Sequence, residues 1–573
     1  MRMFKVLATL IFSACLVVHA SSVQPAEQMS TTATPTTTAG ATPTTTAGAT
    51  ATVAAWRLAA NQGAYDQAVA LAADDETDSA LSKLLAAARD RNLATDSQWR
   101  SFLHYKSTFA GSWKSQVDAP HFFLSVNGKR DPEAELEATL AAFFSDTPKP
   151  PLRLTAYCRF VARRYWLTEQ LAMHADLLPH RDCLEFDRFV DYLDADTLTL
   201  VFPTAHPNSP SSAFGHTLLR VDKKEQRQES RLLNMSINFA AEVPPGVSSA
   251  AYAIRGLGGG FPGRFRMLPY HMKLREYSQI ENRDTWEYPL ILDKRSVDLV
   301  LRHAYEMLIS EFDYFFFSEN CSYHLLSLLE VARPSTPLTD DFGLWTIPVD
   351  TIRALRAVGL ADQGRFIPSS IRTLRARRAG MSEGEARMAL EALATDLHGL
   401  DESLAVLDAA GQANVLDLLS DYERYDRLKS NPSAQGSNDR ERTILSRRSR
   451  LGVRTIQPDV VPPAAPPDAG HGTARLSVLY HETEKGPPIA ELQLRPAYHD
   501  FRDPSAAFDD KAAIQLGLIG VARDLEDDRS FVRRFTLIRI ESIEPRGEFF
   551  KPISWHTRLD WQRRTADARH EFT

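Results

Sequence analysis

The sequence predicts an α+β protein that is helical in its N-terminal region and rich in β-strands in its C-terminal region. Apolar residues recur at helical spacing over residues 53–190. After residue 474, five segments instead alternate polar and apolar residues, as antiparallel strands do. At ~150 residues per domain, 573 residues allow two to four domains, and 43% hydrophobic content is typical of a folded chain.

Composition excludes several functional classes. The chain has 66 Lys and Arg against 73 Asp and Glu, a net charge of -7, which lacks the basic surface that nucleic-acid binding requires. We therefore expect no nucleic-acid partner. Four cysteines without a C-x-x-C pair argue against a zinc ribbon, and no cofactor or metal is predicted.

The N-terminus predicts export. In residues 1–20, Arg2 and Lys5 precede the apolar run Val6–Val18, and Ala20 ends a small-residue cleavage site. This is the pattern of a signal peptide. Lipidation at Cys15 is disfavoured, because the apolar run continues beyond that residue. No later segment reaches the ~18 apolar residues of a membrane helix, so we expect any membrane attachment to use strands, lipid or a partner.

Residues 21–52 are predicted to be a tether. Most of them are Thr, Ala, Pro or Gly, and the sequence TPTTTAGA occurs twice in tandem, from Thr34 and from Thr42. A segment of this composition cannot bury a core. The alternative is low-complexity sequence without a role.

The helical region holds the clearest local signal and two of the cysteines. Asp131 precedes Pro132 and two acidic residues, which predicts an N-cap and the first turn of a helix. Cys158 and Cys183 are expected to form a disulfide in an oxidising compartment. By loop closure, this bond would stabilise the folded protein by about 3 kcal/mol. This pairing leaves Cys321 without a cysteine partner.

Cys321 follows a dense aromatic run. Ser318 is predicted to cap a helix that ends before Pro334 and whose apolar stripe includes Leu325 and Leu328. Cys321 would then lie in the first turn, where the helix dipole and unpaired N–H groups favour the thiolate. The alternative is an inert thiol buried at the start of a core helix.

A thiol nucleophile needs a base and a group that orients the base. The best upstream base is His216, because a polar loop ends at Gly215 and a strand is predicted to begin at the histidine. A second strand over 232–239 places Asn234, Ser236 and Asn238 on one face, and we favour Asn238 as the orienting group. The alternative is a structural histidine.

Three segments together resemble a known family. They are NSPSSAFGHTLLR (208–220), ENRDTWEYPL (281–290) and ENCSYHLL (319–326). They are similar to the periplasmic domain of Lnb, a lipoprotein N-acyltransferase, in blocks from about Ser97 to Asp350. The order of the histidine strand and the Asn-Cys helix also resembles the circularly permuted papain-like fold of lecithin:retinol acyltransferase relatives.

This resemblance implies a papain-like catalytic domain over 191–360, with Cys321 as nucleophile and His216 as base. The implied function is a cell-envelope thiol acyltransferase or amide/ester hydrolase acting through a thioester on lipoprotein or lipid acyl groups. A non-catalytic envelope anchor and a peptidoglycan amidase are the alternatives. An acyl-lipid enzyme would line its site with aromatic residues, and Phe315 and Phe261 are the candidates.

Two other motifs favour no further chemistry. The glycine-rich segment 255–263 contains Pro262, which blocks the helix that a phosphate loop must enter, so a flexible loop near the site is predicted. A metal site built from His206, His216, Cys321 and His324 is disfavoured.

The remaining boundaries follow composition. Residues 361–429 are predicted to be a helical extension and 430–473 a linker with a basic cluster and six Pro or Ala residues at 462–467. Residues 474–573 are predicted to be either an ordinary β-domain or an incomplete outer-membrane-type barrel. The predicted location is the periplasm, and association with the outer membrane is the open alternative.

Overall fold

The computed structural model describes residues 54–73, 79–108, 110–207, 213–224, 229–431, 433, 436–454, 457–483, 486–508, 511–563 and 570–572. The predicted signal peptide (1–20), Cys15 and the predicted tether (21–52) lie outside the described residues. So do 208–212, the first part of the histidine motif. Among the described residues, no helix combines the length and the apolar character needed to cross a bilayer. The α+β class is confirmed.

The N-terminal region is helical, with a short hairpin of β1 (Tyr105–Ser107) and β2 (Trp113–Ser115). Its helices, α1 to α8, are Ala55–Gln62, Tyr65–Ala73, Ala80–Asp90, Ser97–Phe102, Pro132–Phe143, Ala156–Arg159, Val161–Gln170 and Leu184–Leu193. The predicted disulfide between Cys158 and Cys183 is confirmed. It ties α6 to the residue before α8.

Helix α5 begins where its capping pattern predicts. The carboxylate of Asp131 accepts hydrogen bonds from the N–H groups of Glu133 and Ala134, each 3.0 Å long. Pro132 occupies the first turn, where its missing N–H costs nothing.

A seven-stranded antiparallel sheet forms the centre of the chain, in the order β8-β6-β5-β4-β3-β7-β9. Its strands, β3 to β9, are Ala195–Pro203, Leu218–Lys223, Met235–Ala241, Phe261–Pro269, Thr285–Pro289, Phe312–Tyr314 and Arg365–Ile367. The helices of this region, α9 to α13, are Ser249–Leu257, Tyr270–Leu274, Lys294–Met307, Cys321–Glu330 and Pro348–Ala357.

The two faces of this sheet are covered by different segments. On one face, Leu219 and Ile237 join the large core against which α11 and α12 pack. On the other face, Leu218 contacts Tyr270 and Tyr277. These two tyrosines belong to α10 and to the π-helical turn Arg275–Ile280 that continues it. The sheet therefore holds a helix on each side at the level of β4.

The predicted helical extension contains α14 to α17, which are Ser370–Ala379, Glu383–Ala394, Leu400–Leu404 and Ala409–Ser430. The predicted linker over 430–473 is wrong in part, because Asp439–Arg450 forms helix α18. Ile444 is fully buried against the extension, and Glu441 pairs with Arg427 at 3.1 Å. The basic cluster is thus the ion-paired face of a packed helix.

The C-terminal region is a second antiparallel sheet of seven strands, in the order β10-β11-β13-β14-β15-β16 with β12 on β13. Its strands, β10 to β16, are Arg475–Thr483, Gly486–Arg495, Ala497–His499, Ala512–Asp524, Ser530–Ser542, Trp555–Arg563 and His570–Phe572. The five segments predicted after residue 474 are strands. Arg353 on α13 anchors the preceding loop through the carbonyl oxygens of Pro467 and His471.

Candidate active site

The nucleophile candidate is the first residue of helix α12. Asn320 is the N-cap, and its side-chain oxygen accepts hydrogen bonds from the N–H groups of Ser322 (3.1 Å) and Tyr323 (3.3 Å). The prediction of Ser318 as the cap is wrong, because Asn320 is held there by a 2.7 Å bond to the carbonyl of Thr346. Cys321 is a free thiol with 2% of its surface exposed.

His216 lies two residues before β4, so the strand begins slightly later than predicted. Gly215 positions it. The backbone of Gly215 has φ +102°, and a Cβ at that residue would lie 2.6 Å from the ring of Phe202. Only glycine combines this conformation with this close approach. The N–H of His216 then donates to the carbonyl of Pro203 at 3.2 Å.

The structure brings Cys321, His216 and Asn238 together. Nε2 of His216 lies 2.7 Å from Oδ1 of Asn238, which is buried on β5. This contact leaves Nδ1 as the ring nitrogen available to the thiol of Cys321, with which the imidazole shares a hydrogen bond. The three side chains have the order nucleophile, base and orienting amide. Asn234 and Ser236, the other candidates, bond instead to Asp222 and to the carbonyl of Leu268.

The electrostatics favour a thiolate–imidazolium pair. Burial opposes ionisation of Cys321, but the charge and hydrogen bond of His216 outweigh it, with help from the N–H of Thr217 and the hydroxyl of Ser322. The pKa of Cys321 is lowered to about 7. Burial favours the neutral imidazole, but the Cys321 thiolate and Asn238 reverse this effect and raise the pKa of His216.

Two tyrosines enclose the pair, and the sequence analysis did not select either. Tyr314 on β8 makes hydrogen bonds to Cys321, and burial raises the pKa of its phenol well above the ordinary value. The ring of Tyr277 lies 5.8 Å from that of His216, measured between centroids. Tyr314 belongs to the aromatic run before Cys321, and nothing in the sequence distinguishes it from its neighbours.

The role of Phe261 and Phe315 in lining the site stays a prediction, and Phe261 lies opposite Tyr314 in the sheet. Phe261 is buried, and its ring lies 5.8 Å from Tyr252 and under the guanidinium of Arg255. Phe315 packs against Gly259 so closely that a Cβ there would lie 2.4 Å from its ring. The prediction of a flexible loop over 255–263 is wrong in part, because α9 extends to Leu257 and β6 begins at Phe261.

The disfavoured metal set is not assembled. His324 lies between Phe239 and Phe312, with ring centroids 4.3 Å apart in both contacts, and its nitrogens make no hydrogen bond. Within the described part of the chain, one group of potential ligands does meet, formed by His471, His499 and Asp503.

This second group does not fit a metal ion well. Arg475 and Arg495 both donate to the carboxylate of Asp503. Those guanidinium groups already neutralise the ligand that a cation would need, and they would repel the cation itself.

Comparison with known families bears on the central part of the chain. Residues 185–357 match the Lnb N-terminal periplasmic domain. The match contains Cys321, His216 and Asn238, and we call residues 185–357 the Lnb-type domain. Its description as periplasmic agrees with the predicted export. The papain-like arrangement stays a prediction.

The segments on either side match models described only as domains of unknown function. They are DUF7843 at residues 91–170, DUF7842 at 365–460 and DUF7840 at 464–573. No curated protein and no solved structure matches the chain. The chemistry of the Lnb-type domain therefore has to be argued from its own residues.

Proposed function

We propose that this protein is an exported cysteine acyltransferase or amide/ester hydrolase that acts on lipoprotein or lipid acyl groups in the cell envelope. The observation that carries the proposal is the buried Cys321–His216 pair, with the pKa of Cys321 lowered and that of His216 raised. Perturbed ionisation of this kind is common at catalytic sites.

In the first step, the thiolate of Cys321 attacks the carbonyl carbon of an ester or amide. A C–S bond forms, the bond to the leaving oxygen or nitrogen breaks, and the imidazolium of His216 gives its proton to the leaving group. In the second step, His216 takes a proton from an amine or water, which attacks the thioester. The C–S bond breaks, and the thiolate and the imidazolium are restored.

The neighbouring residues have supporting roles in this proposal. The 2.7 Å contact with Asn238 keeps Nδ1 of His216 directed at the thiol, as the orienting group of a triad does. Because Tyr314 makes hydrogen bonds to Cys321, its hydroxyl is positioned to stabilise charge that develops on the carbonyl oxygen.

The surroundings of Cys321 favour an acyl substrate over peptidoglycan. The thiol is enclosed by Tyr314 and Tyr277 in a largely aromatic environment. A peptidoglycan amidase would instead need an open polar groove. The resemblance of the three sequence segments to Lnb and the match to its periplasmic domain support the same substrate class.

The test is to trap the thioester. The chain from Ser21 onward is incubated with p-nitrophenyl butyrate or laurate, and intact-mass spectrometry measures the acyl adduct. We expect one hydroxylamine-sensitive adduct on Cys321, because Cys158 and Cys183 are joined. Cys321→Ala should give none, and His216→Ala should reduce its rate of formation by at least ~100-fold. An unmodified Cys321 would refute the proposal and favour a non-catalytic anchor.

A further inference from the structure

The C-terminal sheet exposes apolar side chains on one face and buries charged side chains on the other, which is the reverse of an ordinary globular sheet. On β10, Val478 is 81% exposed, and Leu476 and Tyr480 on the same face are also exposed. Glu491 and Arg495 on β11 are 3% and 1% exposed. Charged side chains are normally the exposed ones.

The exposed residues form one continuous surface, which we call the outer face. The register pairs Val478 with Leu492, Leu492 with Val521, and Val521 with Val532, so these residues lie side by side across four strands. The twelve outer-face positions are Leu476, Val478, Tyr480, Ala490, Leu492, Leu494, Ile519, Val521, Val532, Phe535, Leu559 and Trp561. None of the twelve is charged, and the charged residue that shares their face, Arg523, lies at its end opposite Ala490.

The opposite, inner face buries charged side chains of these strands. Nε2 of His481 contacts the carboxylate of Glu491 at 2.7 Å, and Arg533 lies 3.7 Å from the same carboxylate. Asp560 on β15 is buried and paired with Arg558. These groups pair with one another on the inner face, except that Nη1 of Arg533 has no hydrogen-bond partner among the described residues. The outer face carries mainly apolar side chains.

We propose that the outer face rests on the acyl chains of a lipid layer. Its apolar surface complements a phase that offers neither charges nor hydrogen bonds, and Arg523 lies at the end of that surface. A protein partner would instead be expected to meet polar groups, since protein interfaces carry about one hydrogen bond per 100–200 Å².

The size of the outer face argues against a second copy of the chain. Four inter-strand spacings of ~4.8 Å and four residue steps of ~3.4 Å give a flat area of ~260 Å². A stable protein interface buries ~800 Å² on each partner. A lipid layer has no such minimum, because it can also accommodate the surrounding residues.

Among the described residues, no further strand pairs with β10, and this open edge fixes the orientation. An open sheet edge is costly inside hydrocarbon, where its N–H and C=O groups find no partner. The sheet therefore contacts the lipid with its face, and its edges stay at the polar boundary. The hairpin Asp524–Arg529, rich in charged residues, marks that boundary at one end of β13 and β14.

The experiment is flotation of the chain from Ser21 onward with vesicles of phosphatidylethanolamine and phosphatidylglycerol. We expect the wild type to float equally in 0.1 M and 0.5 M NaCl, because apolar contact is not screened. Val478→Glu/Leu492→Glu should reduce the bound fraction at least tenfold. The matched control is Val126→Glu, an equally exposed valine (89%) outside the sheet, which should float like the wild type.

Two results would overturn the inference. One is a wild-type protein that does not float with the vesicles and remains in the unbound fraction. The other is a double variant that still floats but converts a dimer to a monomer in lipid-free buffer, which would assign the outer face to a second copy. Cys321→Ala should float normally, so this test is independent of the proposed chemistry.

Discussion

Replacing Asn320 by alanine should destabilise the Lnb-type domain more than loss of an N-cap usually does. The cap itself, which accepts from the N–H groups of Ser322 and Tyr323, contributes about 1 kcal/mol. The side-chain amide also donates to the carbonyl oxygens of Thr346 (2.7 Å) and Phe316 (3.2 Å). Each buried carbonyl left without its donor costs about 1 kcal/mol more. The expected loss is therefore about 3 kcal/mol.

The matched control is Asn438→Ala. Asn438 caps α18 by accepting from the N–H of Glu441 at 2.7 Å, but it is exposed, so its loss should cost only about 1 kcal/mol. Scanning calorimetry measures both variants. At roughly 2–4 °C per kcal/mol, the transition of the Lnb-type domain should fall by roughly 6–12 °C in Asn320→Ala. Equal shifts in the two variants would refute the assignment of Asn320 as both cap and tether.

Three further perturbations test other parts of the structure. Asn238→Ala should lower the pKa of His216, because the hydrogen bond between the two side chains raises it. Histidine titration by NMR measures this pKa, and an unchanged value would contradict the geometry. Cys158→Ser should cost about 3 kcal/mol in denaturant unfolding, and a free Cys158 in non-reducing peptide maps of the wild type would exclude the disulfide. Tyr498→Ala, which removes a buried ring 5.8 Å from Phe214, should cost about 3–5 kcal/mol, and an unchanged melting curve would argue against this packing.

Local signals were sufficient where several acted on the same residues. Asp131 and Pro132 predicted the start of α5, because capping and φ restriction are properties of a few adjacent residues. The pairing of Cys158 with Cys183 followed from the compartment and the remaining single thiol.

Predictions failed where a distant contact decides the structure. Ser318 is as good an intrinsic cap as Asn320, but the carbonyl of Thr346, 26 residues away, selects the asparagine. The basic segment at 440–450 suggested a linker, and its helix is stabilised by acidic partners on α17, including Asp417 at 2.9 Å from Arg448. Tyr314 is placed beside Cys321 by the pairing of β8 with β6, which no local pattern specifies.

The most direct test of the central claim is the rate of Cys321 alkylation by chloroacetamide as a function of pH, in the wild type and in His216→Ala. In the wild type, we expect half-maximal reactivity near pH 7, below the ~8.5 of an ordinary thiol. In His216→Ala, burial remains without the imidazolium, so the midpoint should move above the ordinary value. A midpoint near ~8.5 in both proteins would contradict the account.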